Sequence, residues 1–245
     1  MAISTAIVAV TAVTGTYLFF DSGLPKLNDL TSYQPALASR VFNTEGELIA
    51  EYAEEHRILT PLEQMPKRLI NAFLASEDAL FYTHPGINPV RIISAAIANL
   101  RAGHTVQGGS TITQQVAKNL LLSSERSYTR KIKEVILAYR IERNFNKDEI
   151  LYLYLNHIYL GRGAYGVTSA AWRYFHKHLD ELTLAECALL AGLPKAPSRY
   201  APHINPAGSI QRRDTVLGMM SASGFATEDE VEAAKLELLN ITPLP

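Results

Sequence analysis

The sequence predicts a mainly α-helical fold with a small β hairpin and an N-terminal membrane helix. Helical signals dominate from residue 66 onward, where N-cap residues and prolines precede amphipathic runs and glycines follow them. Two short β-type runs flank a turn that ends in glycine, and the N-terminus is apolar and uncharged. Because 47% of the 245 residues are hydrophobic, the chain has enough apolar side chains for a sizeable core.

The charge of the chain argues against a nucleic-acid partner. Lys and Arg total 23 and Asp and Glu total 24, so the formal net charge of −1 leaves no global basic field. The single cysteine, Cys187, lies in an apolar helical pattern and is expected to be a buried structural residue. Any anion-binding site is therefore expected to be local.

The N-terminal residues 2–20 carry no charge and are rich in aliphatic side chains. At about 1.5 Å per residue, a helix of this length crosses a hydrocarbon core of about 30 Å. We expect residues 1–20 to be a transmembrane helix, 21–38 a connector and 39–245 the catalytic domain. The alternative for the first segment is a buried core helix.

The hairpin is predicted from residues 41–42 and 48–52, which flank the turn at residues 43–46. About eight helices are expected after it, with Asn88 and Ser110 as candidate N-caps. Three capping boxes are expected, each pairing an N-cap with a glutamate three residues later: Asn146 with Glu149, Thr183 with Glu186, and Thr227 with Glu230.

Glu77 and Asp78 are adjacent carboxylates at the end of a predicted amphipathic helix, followed by aromatic residues and His84. A carboxylate there faces the negative end of the helix dipole, which disfavours its ionised form and suits it to proton transfer. The alternative is an ordinary solvated pair, with His84 closing a turn before Pro85.

A second polar segment spans residues 107–120, where two glycines lead into a helix. At about 100° per residue, Thr111, Gln115 and Lys118 lie within about 60° of one another. A glycine loop, free N–H groups at a helix N-terminus and a lysine form a candidate phosphate or pyrophosphate cradle. The absence of Gly-Lys-Ser/Thr argues against a nucleotide P-loop, and the alternative is a capped surface helix.

A third segment contains Glu134, four residues after Arg130 and three after Lys131. Its neighbours on the next turn of the same helix face are apolar, so the acid is a candidate for partial burial and precise orientation. The alternative is a solvated set of intrahelical ion pairs worth about 0.3 to 0.5 kcal/mol each.

In this order and spacing, the three segments resemble the glycosyltransferase family 51 domain of class A penicillin-binding proteins and monofunctional peptidoglycan glycosyltransferases. The resemblance covers roughly residues 37–220 and continues through residues 150–156, 159–167 and 184–198. It implies a lysozyme-like, two-lobed helical domain whose smaller lobe dips into the membrane, with a cleft for lipid-linked sugar.

The resemblance also implies roles for individual residues, with Glu77 as the catalytic base and Glu134 as a second essential glutamate. The implied substrate-binding residues are Asp78, Phe81, His84, Thr111, Gln114, Gln115, Lys118, Asn119, Arg130 and Lys131.

Two positions depart from the family pattern. Ser94 stands where many relatives have arginine, and we expect Arg91, one turn earlier on the same helix face, to bind substrate in its place. His176 stands where the family usually has glycine, and a left-handed backbone there would strain a histidine.

The implied reaction joins lipid II units into β-1,4 glycan with inversion and releases undecaprenyl pyrophosphate. The implied location is the bacterial cytoplasmic membrane, with a single span and the catalytic domain on the extracytoplasmic face. Expected partners are lipid II, the growing glycan chain, the bilayer and other cell-wall synthesis proteins. No cofactor is obligatory, no metal-ligating residue is assigned, and a divalent magnesium or manganese ion is an optional participant.

Two other functions fit parts of the sequence. A lysozyme-like lytic enzyme would also use glutamates on a helical fold, and a noncatalytic scaffold would bind lipid II without polymerising it. No serine has a lysine three residues later, so neither peptide cross-linking nor β-lactam binding is expected from this chain. We interpret the sequence as a bifunctional enzyme truncated before its transpeptidase domain.

Overall fold

A computed structural model describes residues 39–42, 48–52, 56–103, 108–122 and 127–243, together with residues 15 and 24–25. The predicted membrane helix at residues 1–20 and connector at residues 21–38 otherwise lie outside the described residues. Among the described residues, no helix has the length and apolar character needed to cross a membrane.

The mainly helical class is confirmed, with ten α-helices in the described residues. Their bounds are α1 Lys67–Glu77, α2 Pro89–Ala102, α3 Ile112–Leu121, α4 Tyr128–Asn144, α5 Lys147–His157, α6 Val167–Phe175, α7 Leu184–Gly192, α8 Pro197–Tyr200, α9 Pro206–Ala222 and α10 Glu228–Leu236. Short 3₁₀ segments lie at Leu62–Gln64, Leu179–Glu181 and Leu193–Lys195. The count exceeds the expected eight partly because elements as short as the four-residue α8 carry no readable periodicity.

The antiparallel strand pair of the predicted hairpin is confirmed, and its predicted turn at residues 43–46 lies outside the described residues. Strand β1 (Ser39–Phe42) pairs antiparallel with β2 (Leu48–Tyr52), with an irregularity in register after Val41. A second, two-residue pairing joins β3 (His56–Arg57) in parallel with β4 (Ala164–Tyr165). The sequence analysis missed this pairing because two residues are too few to show an alternating pattern.

The helix caps largely follow the sequence prediction. The Asn88 side chain accepts a hydrogen bond from the backbone of Arg91, with Pro89 as the first helical residue of α2. The boxes that begin at Thr183 and Thr227 are both present, and the box predicted at Asn146 stays a prediction.

Ser110 was the wrong N-cap for α3. Thr111 caps the helix instead, because its hydroxyl accepts from the backbone N–H of Gln114 while the Gln114 side chain accepts from the backbone N–H of Thr111. This reciprocal pair satisfies the backbone N–H groups of Thr111 and Gln114, and a cap at Ser110 would not provide the same pair of hydrogen bonds.

The described residues of Pro85–Asn146 form one compact unit, called here the insert unit. Those of Gln34–His84 and Lys147–Pro245 form a second, called here the core unit. In the insert unit, α3 packs on α4 and buries apolar residues of both helices, including Ile112, Leu137 and Ile141.

In the core unit, α1 packs against α7 and α9. Leu69 and Phe73 of α1 are fully buried, and full burial of side chains of this size contributes about 1.5 to 3 kcal/mol each. Cys187 of α7 is buried in the same core, as expected, and this burial raises the pKa of its thiol to about 12.

His176, which stands where the family usually has glycine, does adopt the left-handed backbone that was expected to strain a histidine. His176 is the C-cap of α6 with a φ of 54°, and its ring lies 4.7 Å from the Trp172 ring, centroid to centroid. A left-handed conformation costs a non-glycine residue about 1 to 2 kcal/mol, which the ring contact partly offsets.

Candidate active site

The proposed base lies at the predicted helix end. Glu77 is the last residue of α1 and is half-buried. Asp78, the C-cap, is fully buried, and its backbone N–H donates to the carbonyl of Leu74. The helix thus ends at Glu77, which is only partly buried, and the next residue is fully buried.

Arg212 of α9 lies beside this helix end. It is buried, and its guanidinium donates to the carbonyl oxygen of Gly192 at 3.3 Å and to Oγ of Ser76 at 3.0 Å. Burial lowers the pKa of Arg212, whereas the charge of Glu77 raises it. A buried guanidinium therefore lies within electrostatic reach of the Glu77 carboxylate.

Lys195 provides a second positive charge in the same region. Burial and the neighbouring charges of Arg212 and Arg199 lower the pKa of Lys195, and Glu77 raises it. Arg212 and Lys195 therefore both lie close enough to the Glu77 carboxylate to interact with its charge.

Asp78, Phe81 and His84, which were predicted to bind substrate, lie close together. Oδ2 of Asp78 lies 2.9 Å from Nε2 of His84, and both side chains are buried. Phe81 is fully buried and meets the His84 ring edge to face at 6.3 Å. Because these side chains face inward, they are better placed to hold the loop after Glu77 than to contact a substrate.

The polar segment of α3 divides into a structural and an accessible part. Thr111 and Gln114 are buried, and Oγ1 of Thr111 also donates to the carbonyl oxygen of Gly86 at 2.6 Å. Gln115 and Lys118 are half-buried and Asn119 is exposed. The accessible residues of the segment therefore begin one turn into the helix.

Glu134 is a buried acid rather than part of a solvated surface pair. Its Oε1 lies 3.2 Å from Nε of Arg130, and its Oε2 accepts from Nζ of Lys131 at 2.7 Å. The same Nζ donates to Oγ of Ser110 at 2.9 Å, which links α4 to the residue before the α3 cap. Glu134 thus orients two cations.

Arg91 lies near the glycine loop of the insert unit. Its Nε donates to the carbonyl oxygen of Gly108 at 3.4 Å, and the Ser94 hydroxyl donates to the carbonyl oxygen of Arg91 at 3.0 Å. The geometry supports the expectation that Arg91 brings positive charge to this loop.

The sequence analysis did not single out Arg212 or Lys195 as partners of Glu77. Arg212 carried a readable signal, because it falls on the same α9 face as the buried Val216 and Met220. A charged residue on a buried stripe points to an internal partner. In the part of the chain that the structure describes, no group of three or more His, Cys, Asp or Glu residues is arranged to hold a metal ion.

The sequence and the fold match a known class of helical glycosyltransferase domains. A family model described as Transglycosylase matches residues 45–221. The chain belongs to this transglycosylase family, and the resemblance to the family 51 domain of class A penicillin-binding proteins is confirmed.

Similar proteins come from several bacteria. Penicillin-binding protein 1A of Aquifex aeolicus is 52% identical over 210 residues, covering 86% of this chain and 29% of the relative. That of Escherichia coli is 46% identical over 229 residues, covering 94% and 27%. A crystal structure of penicillin-binding protein 1A from Haemophilus influenzae has a TM-score of 0.50 and 30% identity, covering 85% and 22%. The chain therefore spans less than a third of these relatives.

Proposed function

We propose that the chain polymerises lipid II into β-1,4 glycan by an inverting mechanism, with release of undecaprenyl pyrophosphate. Membership of the transglycosylase family supports the reaction class. The structural observation that carries the mechanism is the position of Glu77, accessible at the end of α1 and flanked by the charges of Arg212 and Lys195.

The cations of the insert unit support polymerisation over the lytic alternative. A lysozyme-like hydrolase expels a neutral sugar, which needs no cluster of positive charge. A pyrophosphate leaving group does need one, and Glu134 holds both Arg130 and Lys131.

In the proposed step, Glu77 takes the proton of the N-acetylglucosamine 4-hydroxyl on the acceptor. The oxygen attacks the anomeric carbon of the N-acetylmuramic acid at the reducing end of the growing chain. The new carbon–oxygen bond forms as the bond to undecaprenyl pyrophosphate breaks, which inverts the anomeric configuration. The departing group carries away the electron pair of the broken bond, and no covalent sugar–enzyme intermediate is required.

The insert unit offers the charges that a pyrophosphate leaving group needs. We assign this role to Lys118, Arg130 and Lys131, with Arg91 replacing the arginine absent at Ser94. Glu134 holds Arg130 and Lys131 in place, so positive groups are oriented before negative charge develops. A magnesium or manganese ion remains an optional addition.

A lipid-linked substrate requires contact with a bilayer, and α2 has a suitable surface. Its exposed apolar residues are Val90, Ile92, Ile93, Ile97 and Leu100. An exposed apolar face of this kind is typical of helices that lie at a membrane interface. It supports the proposed location at the cytoplasmic membrane with the catalytic domain on the extracytoplasmic face.

The proposal is tested with purified chain and lipid II, with glycan products separated on a gel. Polymer that is blocked by moenomycin and lost in Glu77→Gln, while lipid II binding persists, is the expected result. Release of soluble muropeptides from purified sacculi would favour the lytic alternative. Binding of lipid II by the unmodified chain without any polymer would favour a scaffold.

A further inference from the structure

Polar contacts fix the loop from Asp78 to His84, both between its two ends and within it. The Asp78–His84 contact of 2.9 Å joins its two ends. Within it, the backbone N–H of Phe81 donates to the carbonyl oxygen of Asp78 at 2.9 Å, and Oγ1 of Thr83 donates to that of Leu80 at 2.8 Å. The loop begins at the residue after Glu77, so its position determines how the chain leaves the proposed base.

The first residue of α5 reaches this loop at two points. Nζ of Lys147 donates to the carbonyl oxygen of His84 at 2.7 Å and lies 4.4 Å from the centroid of the Phe81 ring. Phe81 is fully buried, so the ammonium group meets a ring face shielded from water, where a cation–π contact is stronger than at an exposed site.

The position of this lysine in α5 is unfavourable for the helix itself. A positive side chain in the first turn faces the positive end of the helix dipole. Lys147 nevertheless begins the helix, and the carboxylates of Asp148 and Glu149 follow in the same turn. Helix stability therefore does not explain a lysine at this position, whereas its contacts with the loop do.

Asp148 holds the same loop from its other side. Its Oδ1 accepts from the Tyr82 hydroxyl at 2.9 Å. Burial and this hydrogen bond raise the pKa of Tyr82 to about 12, so the hydroxyl remains a donor at neutral pH. The first two residues of α5 thus contact three residues of the loop, Phe81, Tyr82 and His84.

We propose that Lys147 is a positioning residue for Glu77, acting through the loop that it holds. The ammonium anchors Phe81 and His84, the imidazole of His84 meets Asp78, and Asp78 caps the helix that ends at Glu77. This inference rests on the proposed role of Glu77 as base. It assigns to Lys147 no contact with substrate.

The test compares three variants of the full chain. Lys147→Met keeps the length of the stem and removes the charge, whereas Lys147→Arg keeps a cation. Lys235→Met is the matched control, because Lys235 pairs with Glu232 on the surface of α10. We expect kcat for lipid II to fall about 100-fold in Lys147→Met with KM nearly unchanged, as for a displaced catalytic group. Lys147→Arg should recover most of the rate, and Lys235→Met should retain it.

A second measurement does not depend on turnover. In chain labelled at histidine, the NMR signals of the His84 ring should shift in Lys147→Met and return towards their original positions in Lys147→Arg. Unchanged His84 signals in Lys147→Met, or an unchanged kcat in that variant when the wild-type chain polymerises lipid II, would overturn the positioning role. An equal fall in Lys147→Met and Lys147→Arg together with a lowered Tm would also overturn it, because that pattern indicates a fold defect. Absence of polymer from the wild-type chain would instead count against the proposed function.

Discussion

Nζ of Lys131 donates to Oε2 of Glu134 at 2.7 Å, and the acceptor is buried although the lysine reaches the surface. The ion pair therefore holds the buried carboxylate of Glu134 against an ammonium group, that of Lys131, which is accessible to solvent. Arg130 contacts the other carboxylate oxygen, so one side chain fixes two positive groups. This arrangement distinguishes Glu134 from a surface residue that has an ordinary i, i+4 partner.

We predict that Glu134→Gln reduces polymerisation strongly without removing the fold. The amide keeps the shape of the side chain but loses the charge that orients Arg130 and Lys131, so the leaving group should be less stabilised. A fall of about 100-fold or more in kcat/KM for lipid II is expected, measured by glycan formation. Glu232→Gln is the control, because its partner Lys235 forms an exposed pair. Equal activity in the two variants would contradict this role.

A second prediction concerns Arg212. Its guanidinium donates to Oγ of Ser76, the residue before Glu77, so it helps to fix the end of α1 that carries the proposed base. Arg212→Met should therefore lower kcat for lipid II by about tenfold or more, because a displaced catalytic group loses rate. Glycan formation measures the effect.

The Arg212 test needs a variant that keeps the charge. Arg212→Lys should retain more of the rate than Arg212→Met, because it keeps a positive charge and a hydrogen-bond donor beside Ser76. Equal rates for the Met and Lys variants, both folded by circular dichroism, would show that Arg212 does not act on the helix end through its charge.

Local patterns predicted the parts of this molecule that depend on neighbouring residues. The end of α1 at Glu77 follows from signals within a few positions, whereas the strained position at His176 was recognised from the glycine that the family usually has there. The expectation that Ser110 caps α3 was wrong because both Ser110 and Thr111 can cap a helix, and only Gln114, three residues after Thr111, decides between them.

Local patterns could not predict contacts between distant parts of the chain. Arg212 reaches Ser76 across 136 residues, and no spacing rule connects the two. The resemblance to a known family supplied the roles of Glu77 and Glu134. The position of Arg212 beside Glu77 became visible only in the packing of α9 against α1.

A third prediction concerns two glycines of the core unit, Gly166 and Gly218, where an added methyl group should have opposite effects on stability. Gly166 has a φ of 81°, and a Cβ there would lie 2.5 Å from the carbonyl oxygen of Asn156. Gly218 lies within α9, where a Cβ would meet nothing within 4 Å. Gly166→Ala should therefore lower Tm, whereas Gly218→Ala should raise the free energy of unfolding by about 0.5 to 1 kcal/mol. Thermal unfolding followed by circular dichroism measures both, and a stable Gly166→Ala chain would contradict the described turn.

The last prediction tests the apolar face of α2. Leu100 is 85% exposed and Ile93 is 60% exposed, so replacing both with asparagine should leave the fold intact. If this face contacts the bilayer, the double variant should lose activity on lipid II embedded in vesicles, because burial of each large side chain contributes about 1.5 to 3 kcal/mol. On lipid II dissolved in detergent its activity should remain close to that of the wild-type chain. Ile204→Asn is the control, since Ile204 is an equally exposed apolar residue of the core unit. Equal losses in vesicles and detergent would indicate damage to the insert unit rather than a lost membrane contact.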